Sequence, residues 1–416
     1  MKKIAIAILS AVLAISTILL SACQPPKIKY LEFQEFVFGT GVQRISLNAT
    51  LYGTNQKKLL NAKDEIINVL KNLNQELNVI DKKSVIYKFN NYGDNTQEEF
   101  NPETKFYVSE HVYHMLSTVK ELHENEQDEG IKIIIDGKEF DAFRLFDPTI
   151  YPLMELWGLG ADKIHDKASD REIPTTEEID ETLAYVDLSN VQIGEDEKGY
   201  YIKKSRKEVK IDLGGQAKGY GADLAAKICQ KHNLKGAIID IGGNVYLYKS
   251  KPMADGSFQK FTVAINMPQD NSSEYFCALK AENTSLVTSG DYIRYFVKNE
   301  VKYAHILNPL TGLPVNIERQ ENGDNSFTDT HNDQGLTSVT IIHQNSELAD
   351  IYATIVMLLD MENGIEFMEK NSLTGVLISH DKKYAALGEI EQFDHDLANV
   401  YKEYEPYQYK DKIYSF

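Results

Sequence analysis

Two hydroxyls, a carboxylate and an imidazole fall within one short segment of this 416-residue chain, between positions 288 and 314. In chain order they are Thr288, Ser289, Asp291 and His305, with glycines at positions 290 and 312. Two strands, Tyr292–Val297 and Lys302–Ile306, are predicted between the two polar turns, and a hairpin of this kind brings the turns together. Such side chains at strand ends suit a site that handles phosphate. On these residues alone, a hairpin with polar turns and no ligand remains the alternative.

Two further segments place glycines where a strand is predicted to end. In Ile211 to Asp223, a strand at Val209–Leu213 is predicted to run into glycines and then into a helix at Lys218–His232. Glycines allow a ligand to approach the backbone, free N–H groups at a helix start bind phosphate, and Lys218 adds a positive charge. In the other segment, Asp240 precedes a diglycine after a strand at 236–241. Both segments also fit ordinary turns.

A carboxylate and a hydroxyl share one face of a predicted helix at Glu347–Leu359. Asp350 and Thr354 are four residues apart, and oxygen donors arranged in this way suit a hard cation such as Mg²⁺. The alternative is an acid in the first turn of a helix and a buried hydroxyl. The only tryptophan, Trp157, lies near glycines, where it either stacks on a planar ring or belongs to the core.

The first 22 residues have the pattern of a signal peptide. A charged start, an apolar run and the sequence Leu-Ser-Ala before Cys23 resemble a bacterial lipoprotein processing site, which implies lipid on Cys23 and an exported protein. An ordinary anchor helix is the alternative.

Removing Lys2 and Lys3 from a formal net charge of −18 leaves about −20, and no basic stripe is present, so we expect no nucleic-acid partner. Cys229 and Cys277 lack metal-type spacing and are expected to be buried, although a disulfide stays possible.

Many strands with helices in blocks predict an α+β fold, with a mostly antiparallel sheet core and flanking helices. Leucines and isoleucines recur at helical spacing from Leu59 to Leu77, and a second such pattern follows from Val108 to Leu122. We expect a signal peptide at 1–22, a tether linker at 23–35, one domain at 36–393 and a C-terminal extension at 394–416. A last strand is predicted at Gly375–Ser379, and the polar stretch from Glu318 to Gln334 is predicted to be a mobile loop.

Taken together and in order, these segments resemble the ApbE-type FAD:protein FMN transferases over roughly residues 39–379. The segments that carry the resemblance are Phe38-Gly39-Thr40, Asn90, DPTIYPLMELWG, DLGGQAKGYGAD, IDIGGN, TSGDYIRYF, HILNPLTGLP and LADIYAT. Each is ordinary alone, but their order and spacing are characteristic. Lipoproteins are common in this family, which agrees with the pattern at Cys23 and with a location on the extracytoplasmic face of the membrane, in the cell envelope.

The resemblance implies an enzyme that binds FAD and Mg²⁺, joins FMN through its phosphate to a Thr or Ser hydroxyl of another protein, and releases AMP. Asp350, Thr354 and a backbone carbonyl near Ala217 match the metal ligands of the family, while His305 matches a histidine that helps to deprotonate the acceptor. The unperturbed pKa of histidine suits that task near neutral pH. Further positions match the surroundings of FAD: Thr40, Trp157, Lys218, Asp240, Thr288, Ser289, Gly290 and Thr311.

Three departures from the family pattern concern the acceptor side. Asn308 stands where the family usually has Asp, and the stretches Glu124 to Arg144 and Glu318 to Gln334 are longer than expected. No D-x-x-[ST]-G-A-T motif occurs in the chain, so the acceptor is expected to be a separate envelope protein that carries one. Within the same site, water in place of the acceptor would give an FAD pyrophosphatase, and a lipoprotein that only binds FAD is the non-enzymatic alternative.

Overall fold

The computed structural model describes residues 27–39, 44–94, 99–124, 131–135, 137–160, 171–269, 274–292, 294–320, 327–330, 335–392 and 403–416. These residues include eight α-helices: α1 Gln56–Leu77, α2 Val85–Asn90, α3 Glu110–Glu124, α4 Tyr151–Leu156, α5 Thr176–Leu183, α6 Gly214–Lys231, α7 Ser346–Met357 and α8 Met361–Lys370. None of these helices combines the length and the apolar character that crossing a bilayer requires.

A ten-stranded sheet forms the centre of the fold, in the spatial order β1-β2-β8-β9-β14-β19-β20-β21-β23-β24. Its strands are β1 Lys29–Phe38, β2 Ile45–Gly53, β8 Gly236–Ile241, β9 Asn244–Tyr248, β14 Thr284–Gly290, β19 Leu336–His343, β20 Thr374–Ser379, β21 Lys383–Leu387, β23 Glu405–Tyr409 and β24 Lys412–Tyr414. Neighbouring strands are antiparallel except β21 and β23. The predicted α+β fold with a mostly antiparallel sheet is confirmed.

Helices α1, α6 and α7 cover one face of this sheet because each has an apolar stripe to bury. Leu59, Ile66, Leu70, Leu73 and Leu77 of α1 are buried, as their spacing predicts. Asn55 begins that helix by accepting hydrogen bonds from the N–H groups of Lys57 and Lys58. The helices pack on Leu47, Ile239 and Ile341 of the sheet in one large core.

Smaller sheets and hairpins cover the rest of the molecule. They consist of β12 Phe261–Asn266, β13 Tyr275–Ala281 and β22 Glu391–Gln392; β3 Phe106–Tyr107, β6 Val191–Asp196 and β7 Gly199–Lys204; and the pairs β4 Lys132–Ile135 with β5 Lys138–Asp141, β10 Lys251–Pro252 with β11 Phe258–Gln259, β15 Tyr295–Lys298 with β16 Val301–Ala304, and β17 Ile317–Arg319 with β18 Phe327–Asp329. The β12–β13 pair buries Phe261 and Phe276 against the second face of the large sheet. Cys229 and Cys277 are buried free thiols.

The strand predicted at Val209–Leu213 is wrong, because this buried segment pairs with no strand among the described residues. Instead the side chain of Asn90 forms hydrogen bonds with the backbone of this segment. Its Nδ2–H donates to the carbonyl oxygen of Ile211, and its Oδ1 accepts the N–H of Ile211, both at 2.8 Å. The following helix also begins earlier than predicted, so Gly214, Gly215 and Gly219 lie inside α6.

Several predicted boundaries differ from the structure. Strand β1 begins at Lys29, so residues 29–35 of the expected tether (23–35) belong to the large sheet. Four strands follow the one predicted as the last, and the Tyr-rich extension at 394–416 contributes two of them, β23 and β24. Within the expected mobile loop at 318–334, residues 318–319 and 327–329 belong to the β17–β18 pair, and residues 321–326 and 331–334 lie outside the described residues. The hairpin predicted around Asn299-Glu300 is present, with shorter strands.

Candidate active site

Lys218 and Asp350 meet where helix α6 packs against helix α7. The Lys218 Nζ donates hydrogen bonds to Oδ1 and Oδ2 of Asp350 at 2.9 and 3.2 Å, and the backbone N–H of Gly219 donates to Oδ2 at 2.9 Å. A Cβ atom on Gly219 would lie 2.2 Å from the carbonyl oxygen of Ser346, so only glycine permits this approach. Asp350 is 2% exposed. A buried carboxylate that accepts three hydrogen bonds from two donor groups therefore lies at the junction of the two helices.

Helix α7 is held in place at its first residues by a carboxylate from α6. Asp223 accepts the N–H of Ser346 at 3.0 Å and the N–H of Glu347 at 2.9 Å, which supplies partners for two free donors of the helix start. Burial raises the pKa of Asp223 to about 6. Asp223 was not expected from the sequence as a site residue, although it ends the glycine-containing segment from Ile211 to Asp223.

Oxygen donors suited to a hard cation gather near this carboxylate. Thr354 lies one turn after Asp350, is partly exposed, and donates its hydroxyl to the Asp350 carbonyl oxygen at 3.1 Å. Ala217 is a buried residue of α6 directly before Lys218. Among the described residues, no group of three or more His, Cys, Asp or Glu side chains gathers to hold a metal. The metal ligands expected from the sequence are one carboxylate, one hydroxyl and one backbone carbonyl, which is the oxygen chemistry that Mg²⁺ prefers.

Asp240 lies at the end of β8, where the diglycine closes a hairpin to β9. Gly242 and Gly243 have φ of 57° and 93°, values that favour glycine, and Asp240 accepts the N–H of Gly243 at 2.8 Å. Burial raises the pKa of Asp240. A Cβ atom on Gly242 would lie 3.8 Å from Cδ of Lys218, so this hairpin turn borders the Lys218–Asp350 pair.

Thr288, Ser289 and Gly290 are strand residues, which corrects the predicted turn. They form the end of β14 and pair with residues 338–340 of β19. The Thr288 and Thr340 hydroxyls are hydrogen-bonded at 2.8 Å, and all three β14 residues are partly exposed. Helix α7 packs on β14 and β19, so this strand end supports the helix that carries Asp350.

His305 has a strongly altered environment. Burial of its ring, followed by the charge of Arg294, lowers the pKa of His305 to about 3, and the Lys218 charge acts in the same direction. The residue keeps some exposed area, but protein atoms enclose the ring closely enough for loss of hydration to dominate. The expectation of an ordinary histidine pKa is therefore corrected. Nδ1 lies 3.1 Å from the carbonyl oxygen of Arg294, so it carries the proton and Nε2 is the basic atom.

Arg294, whose charge acts on His305, and Asp212, whose charge acts on Arg294, were not expected from the sequence as site residues. Burial raises the pKa of Asp212 and lowers the pKa of Arg294, and each group opposes the effect of burial on the other. Asp212 also accepts the N–H of Gly214 at 2.6 Å, at the start of α6. Both residues lie within the glycine-containing and hairpin segments singled out above. Both residues keep some exposed area, but protein atoms surround their charged groups, and no local pattern in the sequence indicates this.

Asp291 has a structural role. Its carboxylate is fully buried, lies 3.1 Å from Nζ of Lys302 and 2.8 Å from Nε2 of His380, and accepts the Thr337 hydroxyl at 3.0 Å. These partners come from three different strands or strand ends. Asp291 therefore links the His305 hairpin to the large sheet, and its oxygens are occupied.

Trp157 is a core residue in this structure. It is 1% exposed, packs on Tyr303 and Phe327, and donates its indole N–H to the carbonyl oxygen of Gly312 at 2.8 Å. The expectation that it flanks a flavin does not fit this conformation, because no face of its ring is free. Its role here is to hold the turn that contains Thr311.

The turn after His305 is closed by its own side chains. Asn308 accepts the N–H of Leu310 at 2.8 Å, and Thr311, which is partly exposed, accepts the N–H of Leu313 at 3.2 Å. An Asp side chain at position 308 would accept the same bond, so the departure at Asn308 preserves the turn. Thr40 and Cys23 lie outside the described residues.

The model of the ApbE family matches residues 39–378 of this chain. The FAD:protein FMN transferase of Haemophilus influenzae is 27% identical over 380 residues, which are 91% of this chain and 93% of that protein. The FAD:protein FMN transferase of Vibrio cholerae is 26% identical over 76% of this chain and 78% of its own length.

Solved structures agree on the fold. The ApbE protein of Thermotoga maritima superposes with a TM-score of 0.62 at 24% identity and covers 90% of this chain and 99% of its own. The flavin transferase ApbE from Vibrio cholerae gives a TM-score of 0.61 at 23% identity, with 85% and 94% covered. At these identities the structures support the shared fold.

Proposed function

Because the chain belongs to the ApbE family, we propose that it is an FAD:protein FMN transferase, which moves FMN from FAD to a Thr or Ser hydroxyl of a second protein and releases AMP. The observation that carries this proposal is the contact of Lys218 with Asp350, beside the turn at Gly242 and within electrostatic reach of His305. A cation, a buried carboxylate and a neutral imidazole together provide what a phosphoryl transfer to a hydroxyl requires.

Lys218 is the group suited to bind the pyrophosphate of FAD. Its side chain is 22% exposed, so the ammonium reaches solvent while its stem is held beside the Gly242 turn. A lysine binds phosphate as a point charge, without the directional fork of arginine. Five positions that match the surroundings of FAD in the family are partly exposed and offer hydroxyl, carboxylate and backbone groups for the rest of FAD: Thr288, Ser289, Gly290, Asp240 and Thr311.

His305 is the group suited to take the proton of the acceptor hydroxyl. Its pKa of about 3 keeps the ring neutral at physiological pH, and Nδ1–H donates to the carbonyl oxygen of Arg294, which leaves the Nε2 lone pair available. A pKa this low makes the ring a weak base in the free protein, and the negative charge of bound phosphates would raise its basicity. In the proposed step the hydroxyl oxygen bonds to the phosphorus of the FMN half while the bond to the AMP oxygen breaks. The hydroxyl proton passes to Nε2 of His305.

Asp350, Thr354 and the carbonyl oxygen of Ala217 would hold Mg²⁺, since their donor atoms are all oxygen. When bound, Mg²⁺ neutralises charge on the phosphate oxygens and stabilises the departing AMP. Lys218 already contacts both oxygens of Asp350, so a cation at that carboxylate would be repelled by the ammonium.

The sequence around Cys23 supports a location for this reaction. We propose that the chain is exported, carries lipid on Cys23 and works on the extracytoplasmic face of the membrane. Its acceptor would be an envelope protein with a D-x-x-[ST]-G-A-T segment, because this chain lacks that motif itself.

The test uses the purified protein with FAD, Mg²⁺ and an acceptor that carries the motif, and measures the mass of the acceptor. We expect a gain of one FMN, lost with EDTA and lost in Asp350→Asn. Asp360→Asn is the matched control, because Asp360 is an exposed acid that begins the next helix. FMN and AMP formed without a gain in acceptor mass would favour the pyrophosphatase, and intact bound FAD would favour the binding protein.

A further inference from the structure

One end of the large sheet is basic although the chain is acidic. Here β1 begins, β2 ends, α1 begins, α6 ends and β8 begins. Lys29 pairs with Gly53, the N–H of Lys235 donates to the carbonyl oxygen of Tyr52 at 2.8 Å, and a Cβ atom on Gly236 would lie 2.4 Å from the carbonyl oxygen of Ser250. We call this surface the basic end and define it by residues 27–31, 53–58, 230–236, 248–257 and 281–284.

The charge of the basic end contrasts with the formal net charge of −18 of the whole chain. It contains eight exposed lysines: Lys27, Lys29, Lys57, Lys58, Lys231, Lys235, Lys249 and Lys251. Against them stand only Asp255 and Glu282 within the same segments. Within the described part of the chain, one of the eight forms an ion pair, Lys231 with Glu65 at 2.5 Å. Most of the positive charge therefore faces solvent without a partner carboxylate.

Large apolar side chains are exposed beside these lysines. Tyr30 is 64% exposed in β1, Leu60 is 43% exposed in the first turns of α1, and Phe258 is 57% exposed next to Pro252. Lysines with interspersed aromatic and leucine side chains are typical of surfaces that meet the headgroup region of a bilayer. The stems of the lysines are apolar, so they can follow such a surface while their ammonium groups reach lipid phosphates.

The basic end lies opposite the candidate active site. Helix α6 and strand β8 connect the two, with Lys218 and Gly242 at one end and Lys231 and Gly236 at the other. The fourteen residues of α6 from Lys218 to Lys231 span about 20 Å. Lys29 lies six positions after Cys23, a reach of at most about 20 Å when extended. The proposed lipid thus joins the chain beside the basic end.

We propose that the basic end is a docking surface for an anionic lipid bilayer. This inference rests on the lipid anchor at Cys23 proposed above. The anchor brings the domain to the membrane, and attraction between the lysines and lipid phosphates fixes its orientation. The active site then points away from the bilayer. The active site can then bind acceptor hydroxyls that a folded domain holds away from the membrane. It cannot bind acceptor hydroxyls that lie at the bilayer surface.

Lysine footprinting of the lipid-modified protein tests the orientation. The protein is reconstituted in vesicles of phosphatidylcholine alone or of phosphatidylcholine with about one third phosphatidylglycerol, treated with an acetylating reagent and analysed by mass spectrometry. On the anionic vesicles we expect acetylation of Lys29, Lys58 and Lys251 to slow by about threefold or more, and to recover at high salt. Lys82 and Lys83, exposed beyond the opposite end of α1, should react equally on both.

Charge-reversal variants test whether Lys29 is protected by attraction between the lysines and anionic lipids or only because the anchor holds the protein near the membrane. Lys57→Glu with Lys58→Glu and Lys251→Glu should abolish the protection of Lys29. The matched set Lys82→Glu, Lys83→Glu and Lys88→Glu makes the same change in net charge at exposed sites elsewhere and should preserve the protection. Acidic residues at 57 and 58 also suit a helix start, so folding should be kept.

Transfer of FMN to a water-soluble acceptor should be unchanged in both sets, so failure of the docking proposal and failure of the proposed activity are read from different assays. Equal protection on neutral vesicles would overturn the proposal, because the tether alone would then explain it. Absence of protection on anionic vesicles would overturn it as well.

Discussion

Asp350 binds the Lys218 ammonium with both oxygens of its carboxylate, at 2.9 and 3.2 Å, and Asp350 is almost completely buried. The same carboxylate is the one proposed to hold a divalent cation. An ammonium and a divalent cation at the same carboxylate repel each other, so the two should compete in the free protein. If the phosphates of FAD attract the Lys218 ammonium, the Asp350 carboxylate loses that partner and becomes free to bind the divalent cation.

Replacement of Lys218 by Met tests this competition. Without the ammonium, Mg²⁺ should bind the free protein about tenfold more tightly, and FAD should bind about tenfold more weakly, which corresponds to about 1.4 kcal/mol for each. Calorimetric titration of Mg²⁺ and of FAD measures both changes. Lys227→Met, an exposed lysine of the same helix, should alter neither affinity. An unchanged Mg²⁺ affinity in Lys218→Met would show that the ammonium does not block the site.

The altered pKa of His305 predicts that its ring does not titrate near neutral pH. The folded-state pKa, about 3, lies below the value of 6.5 for an ordinary histidine, so the neutral ring is the form that the fold favours. Its contribution to stability is complete above about pH 6.5 and is lost as the pH falls toward 3.

The ring signals of His305 in NMR spectra should therefore stay constant from about pH 8 to about pH 4, and His305→Gln identifies them. His114 serves as an internal contrast, because its hydrogen bond to Glu347 raises the pKa of its ring. A midpoint for His305 near 6.5 would contradict the enclosed environment described here.

The sequence predicts those elements that local periodicity determines. Helix α1 follows from apolar residues at helical spacing, from Leu59 to Leu77. Strand β8 and its diglycine turn follow from an apolar run and a turn signal. In these cases the information lies within a few residues.

Features that depend on distant residues were not predictable. The segment at 209–213 has the composition of a strand, but the amide of Asn90, 121 positions before Ile211, satisfies its backbone. The burial of Trp157 depends on Tyr303 and Phe327. The pKa of His305 depends on enclosure by elements that no local pattern announces. A local sequence pattern indicates which chemical groups are present. The charge state and the exposure of those groups depend on the folded structure around them.

Because Asp223 holds the first residues of α7, we expect its replacement to lower both stability and activity. Asp223→Ala removes the acceptors of the Ser346 and Glu347 N–H groups, which should lower the free energy of unfolding by about 2 kcal/mol. It should also lower FMN transfer more than tenfold, because Asp350 lies one turn along the released helix.

Asp360→Ala is the matched control, since Asp360 accepts the N–H of Asn363 at the start of α8. It should cost about 1 kcal/mol and leave the transfer rate unchanged. Urea unfolding and the acceptor-mass assay measure the two effects. Equal loss of activity in both variants would mean that stability alone, and not the position of α7, explains the result.

Because Gly219 packs closely on Ser346, we expect the addition of a single methyl group at position 219 to lower both the stability and the Mg²⁺ affinity. In Gly219→Ala the new methyl group would lie 2.2 Å from the Ser346 carbonyl oxygen, a backbone atom that cannot move alone. The two helices must separate, which should cost about 1–3 kcal/mol and lengthen the bond from the Gly219 N–H to Asp350. Gly215→Ala meets only the ring of Phe146, a side chain that can shift, and should be close to neutral. Thermal unfolding and Mg²⁺ titration compare the two variants. If Gly219→Ala kept both the stability and the Mg²⁺ affinity of the parent, close packing of α6 on α7 would not be what positions Asp350.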